Sequence, residues 1–384
     1  MLVDPSIDAQ RCQLGKHRHQ LADDAQRQAA HGVGHPVHAQ LAATVNRQLD
    51  DHHHQKHRHG KDDAVEHGDG VGMAVGVAVA VGVDGSIRAV SVSSQAATAV
   101  RPETAGQNPG TTRKSDNAMR PTLVFSHANG YPAATYRQLF ALWRAAGWQV
   151  LAVPQFGHDP RYPVTSNWPR LRDPLIDFIV AQAPQGAYLV GHSLGGLLSL
   201  QAAAKRPELA LGLVMLDSPV ITGWRAHTVQ MLKRSRLLQR LGPGKVAITR
   251  RHEWPSRQAA FDHYAAKSIF ARWAPGMLND YIAAGTLRRG GHTVLAFDRA
   301  VETRIYNTLP HQLGTVLRRH PLRCAVGFVA GTRSAEIRHG GLETVRRLAG
   351  ERLLWLDGTH LFPMEKPLET AQAVLQLLAT MTPA

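Results

Sequence analysis

Gly191-His192-Ser193-Leu194-Gly195, with Gly196 directly behind it, leaves this chain few folds to choose from. An apolar run, Ala187-Tyr188-Leu189-Val190, leads in, and a helix-forming run, Leu197 to Lys205, leads out. Glycine has no Cβ, so it suits places where the backbone doubles back or nearly touches another backbone. A serine set among glycines between a strand and a helix therefore reads as a nucleophile elbow. Such a turn holds the hydroxyl proud of the sheet edge, with the helix N-terminus beneath it. The plainer reading is a glycine-rich turn whose serine caps the helix. The strand before and the helix after favour the elbow.

The surroundings extend the pattern. Thr122–Ser126, Trp148–Val153, Gly186–Val190, Leu211–Leu216, Leu322–Ala330 and Arg352–Leu356 read as strands. Ala133–Ala146, Leu171–Gln182, Leu342–Ala349 and Pro367–Met381 read as helices between and after them. Strands alternating with helices predict an α/β architecture, a mostly parallel sheet covered on both faces. Ligands of such sheets bind beyond the carboxyl ends of the strands, where the elbow serine projects.

Composition confines this architecture to part of the chain. All 23 Phe, Trp and Tyr residues lie after position 118, whereas 11 of the 22 histidines lie before it. Residues 1–118 therefore lack the large side chains that supply most of a core's buried area, and they read as a disordered, low-complexity tail. Their one apolar run, residues 71–83, is too short to span a bilayer; it could pair with Ser86–Ser94 through the Asp84-Gly85 turn. The histidine cluster around His52–His54 and His57–His59 lacks the defined spacing and carboxylate support of a metal site. Neither a signal peptide nor a transmembrane segment is visible. Met119 opens directly onto the first convincing strand, which suggests that the native chain starts there. Mass spectrometry of the native N-terminus checks this expectation, and peptides from upstream of Met119 would overturn it. Cys12 and Cys324 are the only cysteines, so no disulfide framework holds the chain, as suits a reducing, cytoplasmic setting.

A serine hydroxyl is a weak nucleophile and needs a base held by a third group. His360 lies in Asp357-Gly358-Thr359-His360, just past the last strand, and is the expected base. Two carboxylates qualify to orient it. Glu336 follows the strand ending at Ala330, and Asp217 follows the strand ending at Leu216. Glu336 is preferred, because the loop after the penultimate strand is the usual seat of the acid. Oxyanion donors are expected at the backbone N–H of Leu194 and at that of Ala128 or Asn129, in Ser126-His127-Ala128-Asn129-Gly130-Tyr131-Pro132.

Three signatures together resemble the α/β-hydrolase superfamily, in its serine esterase, lipase and aminopeptidase branch. They are His127-Ala128-Asn129-Gly130, Gly191-His192-Ser193-Leu194-Gly195-Gly196, and Gly358-Thr359-His360 with Phe362-Pro363 behind it. The resemblance covers residues 119–384 and implies the α/β-hydrolase fold. It also implies hydrolysis through an acyl-serine, with no metal or organic cofactor. Serine at 193 disfavours the relatives that use an aspartate nucleophile. Residues 218–320 resemble the helical cap that roofs the site in this superfamily, with helices expected at Ala226–Leu241, Ser256–Phe270 and Met277–Ala284.

That cap holds seventeen Lys/Arg against five Asp/Glu. The excess would draw an anionic acyl substrate, touch an anionic membrane, or simply solvate a lid; the last is the simplest. Neither clustered base-stacking aromatics nor a nucleic-acid-binding module is present. The leading expectation is cleavage of a small-molecule carboxylic ester or thioester. Amide or carbon–carbon bond hydrolysis on the same residues, and a non-catalytic binding role, are the alternatives.

Overall fold

Six stretches read from the sequence as strands pair side by side into one parallel sheet. The computed structural model describes residues 120–381; the histidine-rich tail, its expected hairpin and the start at Met119 lie outside the described residues. Along the chain, β1 (Thr122–Ser126) leads through α1 (Arg137–Ala145) to β2 (Gln149–Ala152), and α2 (Pro169–Gln182) leads to β3 (Ala187–His192). The elbow joins β3 to α3 (Leu194–Lys205), and β4 (Ala210–Leu216) follows.

The cap comes next. Its helices are α4 (Gly223–Arg234), α5 (Leu237–Leu241) and α6 (Pro243–Thr249), then strand β5 (Glu253–Trp254) and α7 (Arg257–Ala265). After α8 (Met277–Gly285), β6 (Thr286–Arg289) and β7 (His292–Leu295) form a hairpin, followed by α9 (Arg299–Asn307) and α10 (Leu313–Arg319). The body then resumes with β8 (Ala325–Gly331), α11 (Ala335–His339), α12 (Leu342–Ala349) and β9 (Leu353–Leu356). It closes with α13 (Phe362–Glu365) and α14 (Pro367–Ala379).

The large sheet runs β2-β1-β3-β4-β8-β9, every pairing parallel. Successive side chains in a strand point to opposite faces, and the core divides accordingly. Leu123 and Phe125 pack with Tyr136, Trp143 and the residues of α14 on one face. Val124, Leu189 and Leu213 pack with α2 and α3 on the other. The chain leaves β1 toward β2 on one side and returns through β3 on the other, so a crevice opens beyond the carboxyl ends of β1 and β3. Ser126 stands beside Gly191 in that pairing, which sets the loop after β1 next to the Ser193 turn.

Within the cap the sequence reading needs correction. The helix expected over Ala226–Leu241 breaks at Arg236, whose φ of 58° is left-handed, and becomes α4 and α5. A three-stranded antiparallel sheet, β5-β7-β6, stands where only helices were expected. Its hairpin turns on Gly290 and Gly291, both at positive φ, and its strands are too short for alternation to reveal them. Cap aromatics Trp254, Tyr264, Phe270, Trp273 and Tyr281 join the core on the face of Phe125 and Trp143, so cap and body share one apolar interior there.

Candidate active site

The elbow has the strain its glycines imply. Ser193 sits at φ 53°, ψ −113°, a conformation an L-residue holds only when its surroundings enforce it. A Cβ on Gly191 would lie 2.4 Å from the Gly195 carbonyl carbon, and one on Gly195 would lie 2.0 Å from the Ser126 carbonyl oxygen. Neither position admits a side chain. The loop after β3 and the backbone of β1 touch, and that contact holds the serine where the crevice opens.

Three side chains from three separate loops meet there. Ser193 Oγ stands 2.9 Å from His360 Nε2, and His360 Nδ1 stands 2.7 Å from Asp217 Oδ2. A carboxylate only accepts, so in the neutral ring Nδ1 carries the proton and Nε2 is the acceptor facing the serine hydroxyl. Asp217 is fully buried, with φ of 44°. Its Oδ1 accepts the Gly331 N–H at 2.8 Å, and its Oδ2 also accepts the Ser334 hydroxyl. Each of its two oxygens thus has a donor.

The sequence favours Glu336 for the place behind His360; the hydrogen bond comes from Asp217 instead. Glu336 Oε2 lies 3.9 Å from Nδ1, outside hydrogen-bond reach, and 3.2 Å from Ser334 Oγ. The physical reason is the sheet order. Asp217 follows β4, the immediate neighbour of β3, whereas Glu336 sits one strand further out, in the first turn of α11. Burial works against a charge on His360, but the Glu336 carboxylate and the bonded, negative Asp217 outweigh it and push the imidazole up to about 9. These three residues are also the grouping, among the described residues, whose donor atoms lie within 4.8 Å of one another, as a metal would need. Both His360 ring nitrogens already face protein partners.

The oxyanion candidates separate on inspection. Leu194 opens α3, where the first N–H groups have no partner inside the helix. The Ala128 N–H already donates to Tyr136 Oη at 3.3 Å, which leaves the Asn129 N–H as the better-placed donor of the pair. Ala128, Asn129, Ser193, Leu194 and His360 all line one cavity of about 320 Å³. Its remaining wall is mostly apolar and comes from body and cap alike, including Trp168, Leu197, Val229, Leu232 and Ile305.

Residues the sequence reading passed over hold this arrangement together. Tyr136 Oη, having accepted from Ala128, donates to His192 Nδ1 at 2.7 Å, and His192 Nε2 donates to the His360 carbonyl at 2.9 Å. One buried chain of bonds therefore runs from the Ala128 loop, behind Ser193, to the backbone of His360. Burial, with the adjacent His360, holds His192 well below the ordinary imidazole range, so it stays neutral and keeps this donor–acceptor pattern. Burial likewise lowers His127 to about 4, and its Nε2 accepts the Phe156 N–H at 3.0 Å. From the cap, Glu302 pairs with Arg250 at 2.7 Å, both buried, and its carbonyl accepts from the Asn129 side chain at 3.2 Å. Gly130, at φ 80°, lets that carboxylate pack against the loop; a Cβ would lie 2.8 Å from Glu302 Oε1. The histidine beside the nucleophile was a signal in the sequence; its partners, 56 and 168 positions away, were not.

Comparison with known proteins bears on the fold and the family. A family model described as "Alpha/beta hydrolase family" matches residues 123–373. A pimeloyl-[acyl-carrier protein] methyl ester esterase of Shewanella woodyi is 33% identical over 97 residues, 25% of this chain and 35% of that protein. An esterase of Mycobacterium tuberculosis is 30% identical over 146 residues, 37% of this chain and 45% of that protein. The chain thus matches less than half the length of either relative. Among solved structures, an E-2-(acetamidomethylene)succinate hydrolase superposes with a TM-score of 0.55 at 21% identity, covering 67% of this chain and 91% of that one. A peroxisomal α/β-hydrolase of Saccharomyces cerevisiae gives 0.55 at 16% identity, covering 71% and 82%.

Proposed function

The chain belongs to the α/β-hydrolase family, and from that premise we propose that it is a serine hydrolase of carboxylic esters or thioesters. The observation that carries the reading is the unbroken run Ser193 Oγ, His360, Asp217, at 2.9 and 2.7 Å, opening into a cavity with an apolar wall. Ser193 Oγ attacks the acyl carbon while His360 Nε2 takes its proton. Asp217 holds the ring in its Nδ1–H form and stabilises the imidazolium. The Leu194 and Asn129 N–H groups receive the oxyanion. The tetrahedral adduct collapses, the alcohol or thiol leaves with the proton from His360, and a water repeats the sequence to free the acid. The names of the two curated relatives, both esterases, support the ester class.

The cavity wall supports an apolar acyl chain. Three arginines, Arg225, Arg272 and Arg333, also line it. Arg272 and Arg333 face Glu365 and Asp357, whereas Arg225 has no ion-pair partner among the described residues, which suits an anionic group on the substrate. A fluorophosphonate probe tests the reading: it should label the wild-type protein and leave Ser193→Ala unlabelled. Labelling of that variant would move the nucleophile elsewhere. A series of p-nitrophenyl esters of increasing chain length, beside an aminoacyl amide, then identifies the acyl group; faster cleavage of the amide would reject the ester class.

A further inference from the structure

The roof of the cavity has two faces that differ sharply. Along α4, Arg225, Thr228, Val229 and Leu232 turn inward and line the cavity. The opposite stripe, His227, Met231 and Arg234, spaced by four and three residues, is open to solvent, and Trp224 stands half exposed at the cavity rim. An outward stripe on a surface helix is ordinarily polar. Here Trp224 is 53% exposed and Met231 70%. The apolar exposure continues on the next two helices, which pack in succession, with Leu237 and Leu241 on α5 and Ile248 on α6. Half of the large hydrophobic side chains exposed among the described residues fall between positions 224 and 248.

The charge on this face is of one sign. Between Ser218 and His252 the chain has eight Lys/Arg and no Asp or Glu. Arg250 is buried against Glu302, Lys233 is turned inward onto the Leu309 carbonyl, and Arg225 lines the cavity. The other five, Arg234, Arg236, Arg240, Lys245 and Arg251, are exposed, and none is ion-paired among the described residues. Some exposed arginines elsewhere find carboxylates, Arg161 with Asp159, Arg206 with Glu208 and Arg333 with Asp357, and others, such as Arg288 and Arg289, do not among the described residues. An unpaired cluster of positive charge interleaved with exposed Trp, Met and Leu has a matching partner in an anionic lipid surface. There the arginines meet phosphates, and the apolar side chains enter the headgroup boundary.

We propose that the α4–α6 face docks the protein peripherally on anionic phospholipid, with the acyl-binding cavity directly beneath the docked helices. This goes beyond ester hydrolysis: it names the surface from which substrate is taken and does not depend on the catalytic reading. Docking needs no membrane span, and no helix among the described residues is long and apolar enough to form one.

Flotation of the full chain with unilamellar vesicles tests the proposal. The protein should float with phosphatidylcholine vesicles containing about 30% phosphatidylglycerol, and stay behind with pure phosphatidylcholine or in about 0.5 M NaCl. Arg234→Glu/Arg236→Glu/Arg240→Glu should weaken partitioning at least about a hundredfold, since each basic residue near such a surface contributes roughly a fivefold factor. Met231→Ser/Leu241→Ser should weaken it about tenfold through lost apolar contact. Neither variant touches the cavity lining, so both should hydrolyse a short soluble ester as the wild type does, which also reports that they fold. Ser193→Ala should dock like the wild type, so loss of catalysis and loss of docking are read apart. Equal binding to neutral and anionic vesicles, undiminished binding of the charge-reversed variant, or retention on an acidic protein without binding to vesicles would each overturn the proposal.

Discussion

The loop after β4 and the loop after β8 each offer a carboxylate to the same histidine, on different terms. Asp217 is fully buried, bonded to His360 Nδ1, and held by the Gly331 N–H and the Ser334 hydroxyl. Glu336 lies 3.9 Å behind and acts on His360 through its field alone. One carboxylate fixes geometry and tautomer; the other only raises the cost of deprotonating the ring. Nearness to a catalytic base is therefore a poor guide to role, because a hydrogen bond fixes an orientation and a bare charge does not.

Replacing each member in turn measures that difference. Asp217→Asn should have the largest effect, lowering kcat by about 10⁴ by presenting the wrong tautomer to Ser193. Equal losses in Asp217→Asn and Glu336→Gln would erase the distinction. Ser334→Ala comes next, with a loss of roughly ten- to a hundredfold in kcat, since a buried carboxylate deprived of a donor costs about 1–3 kcal/mol. Glu336→Gln should change the rate at neutral pH by less than about tenfold, the factor that one unit of pKa represents. Its signature is in the pH profile. His360 must be neutral to act as base, so wild-type kcat/KM for an uncharged ester should rise with pH through about 9. Without the Glu336 charge that inflection should move down, and an unmoved inflection would assign the raised value to Asp217 alone.

The smallest effect concerns stability. A histidine raised from its unfolded value of 6.5 to about 9 adds stability that is complete below pH 6.5 and is lost as pH rises toward 9. Urea midpoints across that window should fall with pH in the wild type and fall less in Glu336→Gln.

Body and cap were not equally legible. The six body strands were read within a few residues, because strands buried on both faces read as short apolar runs between helices and the elbow glycines mark contacts no other residue permits. In the cap, the break at Arg236 and the two-residue strand β5 depend on packing against β7 and α6, which local pattern does not encode.

The places of Ser193, His360 and the loop after β1 were legible in the sequence because each is marked within a few positions of itself, by glycines or by a place just past a strand. Which carboxylate bonds His360 was not so marked. Asp217 and His360 are 143 positions apart, Asp217 and Gly331 114, and Tyr136 and His192 56. Chain order allowed both acids. Only the sheet order β3-β4-β8, which sets the end of β4 beside the elbow and the end of β8 one strand away, brought Asp217 within bonding distance and left Glu336 outside it.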